Sequence, residues 1–248
     1  MRLIIIDGAA AATDPNFSDV ILLLHCDGAD GGTSFTDSSP LANTMLASSL
    51  QTETSDPQFG SARAKAVGGG GSVATSAPST SAPFAPLHNG SNWTFEGFFK
   101  FDSFAATQVF FSNASSTSHV GLYASLTTSR GINLQVYYGS AGNYICNGSS
   151  AGGVWPNDSS YHFLRITCDF SLGSNNYKVY VDDMTTPVAQ FSKTGNTPSA
   201  ADPTYNIVIG EFAPSGNPLI ASGGFDEIRI TKDVVRAGAT PTEAFPDS

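Results

Sequence analysis

The stretch GGFDEIRIT, Gly223 to Thr231, joins two glycines and an acidic pair to an alternating apolar run. A strand sends successive side chains to opposite faces, so the run reads as a core strand that begins at Phe225, after a loop closed by Gly223 and Gly224. Ile228 and Ile230 then point inward. Adjacent Asp226 and Glu227 fall on opposite faces. The next same-face positions are Ile228 and Ile230 for Asp226, and Arg229 and Thr231 for Glu227. Neither acid meets a second carboxylate on its own side, and Glu227 is expected to face water. A retaining glycosidase needs two carboxylates about 5–5.5 Å apart, so this spacing argues against glycoside hydrolysis.

The same period of two recurs along the chain. VILLLHC, Val20 to Cys26, is continuously apolar, as expected of a strand buried on both faces. WTFEGFFKF puts Trp93, Phe95, Gly97, Phe99 and Phe101 on one face and Thr94, Glu96, Phe98 and Lys100 on the other. INLQVYY and HFLRITC alternate likewise, the latter with His162, Leu164, Ile166 and Cys168 together. YKVYVDD points Val179 and Val181 inward, and YNIVIGEF completes the set. Turn clusters such as DGADGG, SLGSNN and APSGNP separate these runs. No long helical period is present, so the fold class is all-β, an antiparallel β-sandwich.

From Gly68 to Asn92 the composition is that of a linker, but Phe84 and Leu87 interrupt it and SVATS reads as a short edge strand. The first 67 residues offer one good strand and no core of their own. An extended crossover inside one domain, residues 19–248, is the expectation. Residues 1–18, MRLIIIDGAAAATDPNFS, read as an N-terminal arm. Its Leu3, Ile4, Ile5 and Ile6 would dock by adding a strand to a neighbour or by burying apolar surface.

Charged residues make up only 13% of the 248, against the usual ~25%. The net charge of −10 argues against nucleic acid, which requires a basic footprint, and disfavours an anionic membrane surface. No run approaches the ~20 apolar residues of a membrane span, and the apolar run in MRLIII is too short for a signal-peptide core. Cys26, Cys146 and Cys168 show no zinc or redox spacing. Buried free thiols, suited to folding in a reducing cytoplasm, are expected. There is no Gly-x-Ser-x-Gly motif, and His25, His88, His119 and His162 are scattered; His25 and His162 read as structural. The candidate glycan-binding residues are Tyr137, Tyr138, Tyr144, Trp155 and Asn157, with Asn143 and Asn147 nearby. Sugar sites combine an aromatic platform with amides. Against that, tyrosines are common on strand faces, and Trp155 would equally serve as a plug at one end of the sandwich.

Five motifs in order carry a family resemblance: LLLHCDGADGGTSFTDSSP, QFGSARAKAVGGGGSVATSA, NWTFEGFFKF, YHFLRITCDF with YKVYVDD, and GGFDEIRITKDVVRAGATPTEAFPD. Together, from Asp19 to Asp247, they resemble the laminin-G-like, concanavalin-A-like lectin/glucanase superfamily, and most of all its variants in bacteriophage virion proteins. The arm has no counterpart in that pattern, and the stretches 196–203 and 212–222 look like insertions. The resemblance implies a jelly-roll sandwich. It also implies a structural calcium among Asp27, Asp30, Asp37 and Asp226, although aspartates at such positions also cap turns. It further implies a virion protein made in the host cytoplasm, a capsid decoration or head-fibre module, which the carboxylate spacing and the missing nucleophile motif make non-enzymatic. Its partners would be other virion proteins of capsid or tail, a host-surface glycan and further copies of itself in a homo-oligomer, with no membrane insertion. The alternatives are a receptor-binding adhesin for host-surface polysaccharide and a free bacterial glycan-binding protein.

Overall fold

Seventeen strands and two short 3-10 turns make up the structure, a computed structural model that describes residues 13–68, 70–78, 82–113, 121–137, 143–196, 206–212, 217–218 and 223–248. The strands are β1 (Val20–Leu24), β2 (Met45–Ser48), β3 (Leu50–Glu53), β4 (Arg63–Ala66), β5 (Ser72–Pro78), β6 (Trp93–Phe101), β7 (Gln108–Ser112), β8 (Gly121–Leu126) and β9 (Ile132–Tyr137). After them come β10 (Tyr144–Ser149), β11 (His162–Cys168), β12 (Tyr177–Val181), β13 (Ala189–Phe191), β14 (Asn206–Ile209), β15 (Glu211–Phe212), β16 (Asn217–Pro218) and β17 (Gly223–Lys232). One sheet runs β13-β12-β11-β6-β17-β4-β3, with β1 also paired to β17; the other runs β10-β9-β8-β7-β14-β5-β2; β15 and β16 form a small hairpin. All pairings are antiparallel. The arm residues Leu3, Ile4, Ile5 and Ile6 lie outside the described residues.

The core between the sheets follows the alternation. Trp93, Phe95, Phe99 and Phe101 of β6 meet Phe110 and Phe111 of β7, with Phe95 stacked on Phe111 at 4.0 Å between ring centres. Leu164, Ile166 and Cys168 of β11 and Val179 and Val181 of β12 join them. Gly97 has a steric reason: a Cβ there would collide with Ile228 Cδ1. The β1 run is buried on both faces as its composition demands, with Ile21, Leu22 and Leu24 in the main core and Val20 and Leu23 in a second cluster with Phe98, Phe163 and Phe245. All three cysteines are free and buried.

One expectation changes, and one face that alternation leaves outside the core is covered. SVATS belongs to β5, which pairs with both β14 and β2, so it is an interior strand and β2 is the edge. The outward face of β6 is also not a solvent face: Thr94, Glu96 and Phe98 are all buried. A C-terminal strap covers them. Val234 O accepts from Thr94 Oγ1 at 2.8 Å, Arg236 N donates back to the same hydroxyl at 2.9 Å, and Arg165 Nη1 donates to Gly238 O at 2.9 Å. The strap ends where Asp14 N donates to Ser248 O at 2.9 Å, so the described chain is clasped from both termini.

The quoted stretch becomes β17, but not as a regular strand. Asp226 pairs with Phe98 and Arg229 with Glu96, so Glu227 and Ile228 together oppose Gly97. This is a β-bulge, with Glu227 at φ 51°. It occurs where β17's neighbour on one side changes from β4, paired at Gly224 and Phe225, to β1, paired from Ile228 onward. The extra residue resets the alternation. Phe225, Ile228 and Ile230 all enter the core.

Candidate functional site

Two of the tyrosines singled out from the sequence, Tyr137 and Tyr144, converge on one sheet face. In β8 and β9 the core takes Leu122, Ala124 and Leu126, and Ile132, Leu134 and Val136. The intervening residues therefore point out of the other side. Register then builds two cross-strand rows: Tyr123–Gln135–Asn147, and Gly121–Tyr137–Tyr144. A register shift between Tyr144 and Cys146 lets Ile145 and Cys146 both enter the core and leaves Tyr144 beside Tyr137. Their rings lie 5.2 Å apart. Tyr137 donates its hydroxyl to Gln135 Oε1 at 2.6 Å, and Gln135 Nε2 donates to Asn147 Oδ1 at 3.1 Å. Burial pushes the Tyr137 phenol up, with Tyr144 and Tyr123 nearby adding to it, so it stays a neutral donor. Tyr123 is also raised by burial. Half-buried Tyr123, Gln135 and Tyr144 and exposed Asn147 form a patch of ring faces and amides. Such a surface stacks on the apolar face of a pyranose and hydrogen-bonds its hydroxyls.

Not every candidate joins it. Tyr138 lies outside the described residues. Trp155 is not an exposed platform: it is fully buried, 5.4 Å from both Phe101 and Phe110 and 5.6 Å from the His162 ring. The plug reading applies to it, because its neighbours on either side of the sandwich leave a gap an indole fills. Trp155 N donates to Arg130 O, in the turn before β9, whereas Tyr137 ends β9. Six strand residues span about 17 Å, so Trp155, and exposed Asn157 two residues on, sit at the far end from Tyr144. Tyr123 and Gln135 were missed because GLYASL carries no strong alternation and Gln135 is one polar residue in a strand read for its apolar face. The rows exist only through pairing.

The acidic pair is also elsewhere than expected. Glu227 does not face water: it is 1% exposed, and Asp226 0%. Because of the bulge, Asp226 shares its face with Arg229 and Thr231 rather than with Ile228 and Ile230. Glu227 accepts from His25 Nδ1 at 2.9 Å and from Phe245 N at 2.7 Å, tying strand, β1 end and strap together. The Glu227 hydrogen bond raises the His25 pKa against the opposing effect of burial. Asp226 accepts from Gln58 N at 2.8 Å and Phe59 N at 3.1 Å through one oxygen, and from Glu227 N through the other. Burial pushes its carboxyl up to about 8, with the Glu227 charge assisting and the backbone donors opposing. Both carboxyls are structural clasps. His162 is another, bridging Asp182 Oδ2 at 2.7 Å and Asp158 Oδ1 at 2.9 Å.

The four aspartates suggested for calcium do not assemble a cage. Asp37 is buried and accepts from Leu23 N, Ser39 N and Oγ, and Asn43 N and Nδ2. Asp27 accepts from Ser61 N, Ser61 Oγ and Ala62 N, holding the 58–62 loop from one side while Asp226 holds it from the other. Asp30 accepts from Thr54 N. Calcium takes six to eight oxygens converging on one point. Here the carboxylates are spent on N–H and O–H donors, and among the described residues no three His, Cys, Asp or Glu side chains gather for a metal.

No protein-family model matches the sequence, and neither does any curated protein. Solved structures do match the fold. The botulinum neurotoxin serotype D binding domain superposes with a TM-score of 0.60 at 11% identity, covering 90% of this chain and 50% of that one. A Trypanosoma rangeli sialidase in complex with sialic acid gives 0.57 at 15% identity, covering 92% of this chain and 32% of the other. The binding domain of botulinum neurotoxin DC, in complex with rat synaptotagmin II, gives 0.59 at 10% identity over 94% of this chain and 50% of its own. This chain therefore spans about a third to a half of the length of these three chains. At these identities the likeness establishes the fold, a lectin-like β-sandwich, and nothing about activity.

Proposed function

We propose that this chain is a non-enzymatic recognition module that binds a glycan on the outward face of β8, β9 and β10. The observation that carries this reading is the convergence of Tyr123, Gln135, Tyr137, Tyr144 and Asn147 into two adjacent cross-strand rows on a lectin-like sandwich. Supporting the non-enzymatic half, Asp226 and Glu227 are buried and committed to backbone and histidine donors. In a glycan-array screen of the purified chain, Tyr144→Ala is expected to weaken the best-bound glycan by about tenfold, the loss of roughly one aromatic contact. Trp155→Ala, once shown to be folded, would act only through stability. No binding by the wild type, or full binding by Tyr144→Ala, would sink the proposal.

The finer reading places the module on the surface of a bacteriophage particle, as a capsid decoration or head-fibre component, in line with the five-motif resemblance. Leu3, Ile4, Ile5 and Ile6 would dock it to other virion proteins. A truncation to test this must stop before Asp14, which holds Arg236 and Arg229. Removing residues 1–12 is expected to leave the melting temperature unchanged and to abolish incorporation into particles. Normal incorporation of the truncated chain would refute the arm's role.

A further inference from the structure

The opposite sheet carries a second opening, over β11 and β12 beside the C-terminal strap. Arg165 stands directly opposite Tyr180, and Thr167 opposite Lys178, all on the outward face. Diagonal neighbours on paired strands lie about 7–8 Å apart, so Arg165 and Lys178 flank one spot. Between them and the strap is a cavity of 180 Å³ lined by Arg165, Thr167, Lys178, Tyr180, Met184 and Arg236, among others.

The floor of this cleft has an unbalanced charge. Beneath it, Glu96 accepts from Arg165 Nε at 2.6 Å and from Arg229 Nη2 at 2.6 Å, while Asp14 accepts from Arg236 Nη2 at 2.7 Å and Arg229 Nη1 at 3.1 Å. Three guanidinium groups thus face two carboxylates, which leaves one positive charge uncompensated in a buried cluster. Lys178 adds a second, and it has no hydrogen-bond or ion-pair partner among the described residues. Asp169 at the rim offsets one of these charges, since its bonds from Ser171 N at 3.0 Å and Ser171 Oγ at 2.5 Å come from neutral donors and leave it ionised, so one positive charge remains in excess. In a chain of net charge −10, a pocket with excess cation is a local feature that a bound anion would neutralise.

We propose that this cleft is a second binding site, taking the carboxylate of an acidic sugar residue between Lys178 and Arg165, with Thr167 and Tyr180 meeting the ring. The cavity admits about one pyranose, and its two hydroxyls give a sugar partners that a bare anion would not use. The assignment does not rest on the β8–β10 face. Lys178 is half-buried and outside the Glu96 network, so its replacement is expected to leave the fold intact.

The test is calorimetric titration of the full chain with a galacturonic acid trimer, a neutral galactose trimer and inorganic phosphate at low salt. The acidic trimer is expected to bind and the neutral one not. Lys178→Gln should weaken the acidic trimer by about tenfold or more, Lys178→Arg should retain most of the affinity, and Tyr144→Ala should leave it unchanged. The proposal is overturned if the acidic trimer fails to bind, if Lys178→Gln binds like the wild type, or if the neutral trimer binds equally. Phosphate binding tighter than the trimer would overturn the sugar assignment. Loss confined to Tyr144→Ala would place the acidic sugar on the other sheet and overturn this site while sustaining that one.

Discussion

Glu96→Ala is expected to lower the unfolding free energy by about 3–5 kcal/mol, the cost of leaving buried charges without their partner. Glu96 is fully buried at the centre of β6. Desolvation alone would raise its pKa, but Arg229 and Arg165, with Arg236 at 3.8 Å, overcome that and hold it below the ordinary glutamate value. Truncation would leave three guanidiniums with Asp14 as their one remaining carboxylate in the cluster. Glu96→Gln keeps the volume and loses the charge, and should fall between alanine and wild type. Both can be followed by urea unfolding through the fluorescence of Trp93 and Trp155, which are buried in the core. A midpoint shift at unchanged slope reports stability. A loss below about 1 kcal/mol, the worth of an exposed pair, would show that the network does not hold the strap.

Gly223→Ala is expected to cost about 3 kcal/mol or more, combining backbone strain with overpacking. Gly223 sits at φ 120°, where side chains are strained, and a Cβ there would lie inside contact distance of the Lys100 carbonyl oxygen. Gly224 has an ordinary backbone but meets the Ala64 carbonyl oxygen just as closely, so Gly224→Ala should be nearly as damaging. Gly238, at φ 106° with open space around it, isolates the conformational part, about 1–2 kcal/mol. The expected order in thermal melts is Gly223→Ala worst, then Gly224→Ala, then Gly238→Ala. Equal losses at Gly223 and Gly238 would show that the strand crossing relaxes around a methyl group.

Strands with two clean periods were legible from residues alone. The core faces of β6, β11 and β12 are those that alternation assigns, and β1 is buried on both sides as a continuous apolar run must be. Short strands of mixed composition were not legible. β3 and β4 read LQTE and RAKA, and their charges look like loop chemistry until pairing brings Glu53 to Arg63 at 2.8 Å. The candidate site was half legible. Tyr137 and Tyr144 were named from composition, but the length of β9 separates them from Trp155 and Asn157, and Gln135 and Tyr123 enter only through register.

The acidic pair divides the two kinds of knowledge most clearly. From GGFDEIRIT alone it follows that this is a core strand and that Ile228 and Ile230 point inward, whereas the assignment of the two acids to opposite faces assumed an unbroken alternation that the bulge removes. Where those acids end up is another matter. The bulge at Glu227 arises where β17 changes neighbour from β4 to β1, and the burial of Asp226, Glu227 and Glu96 comes from the 58–62 loop and the strap laid over them. Burial depends on what distant segments cover a face, and no window of residues contains that information. Only the tertiary structure made the acids clasps of the fold.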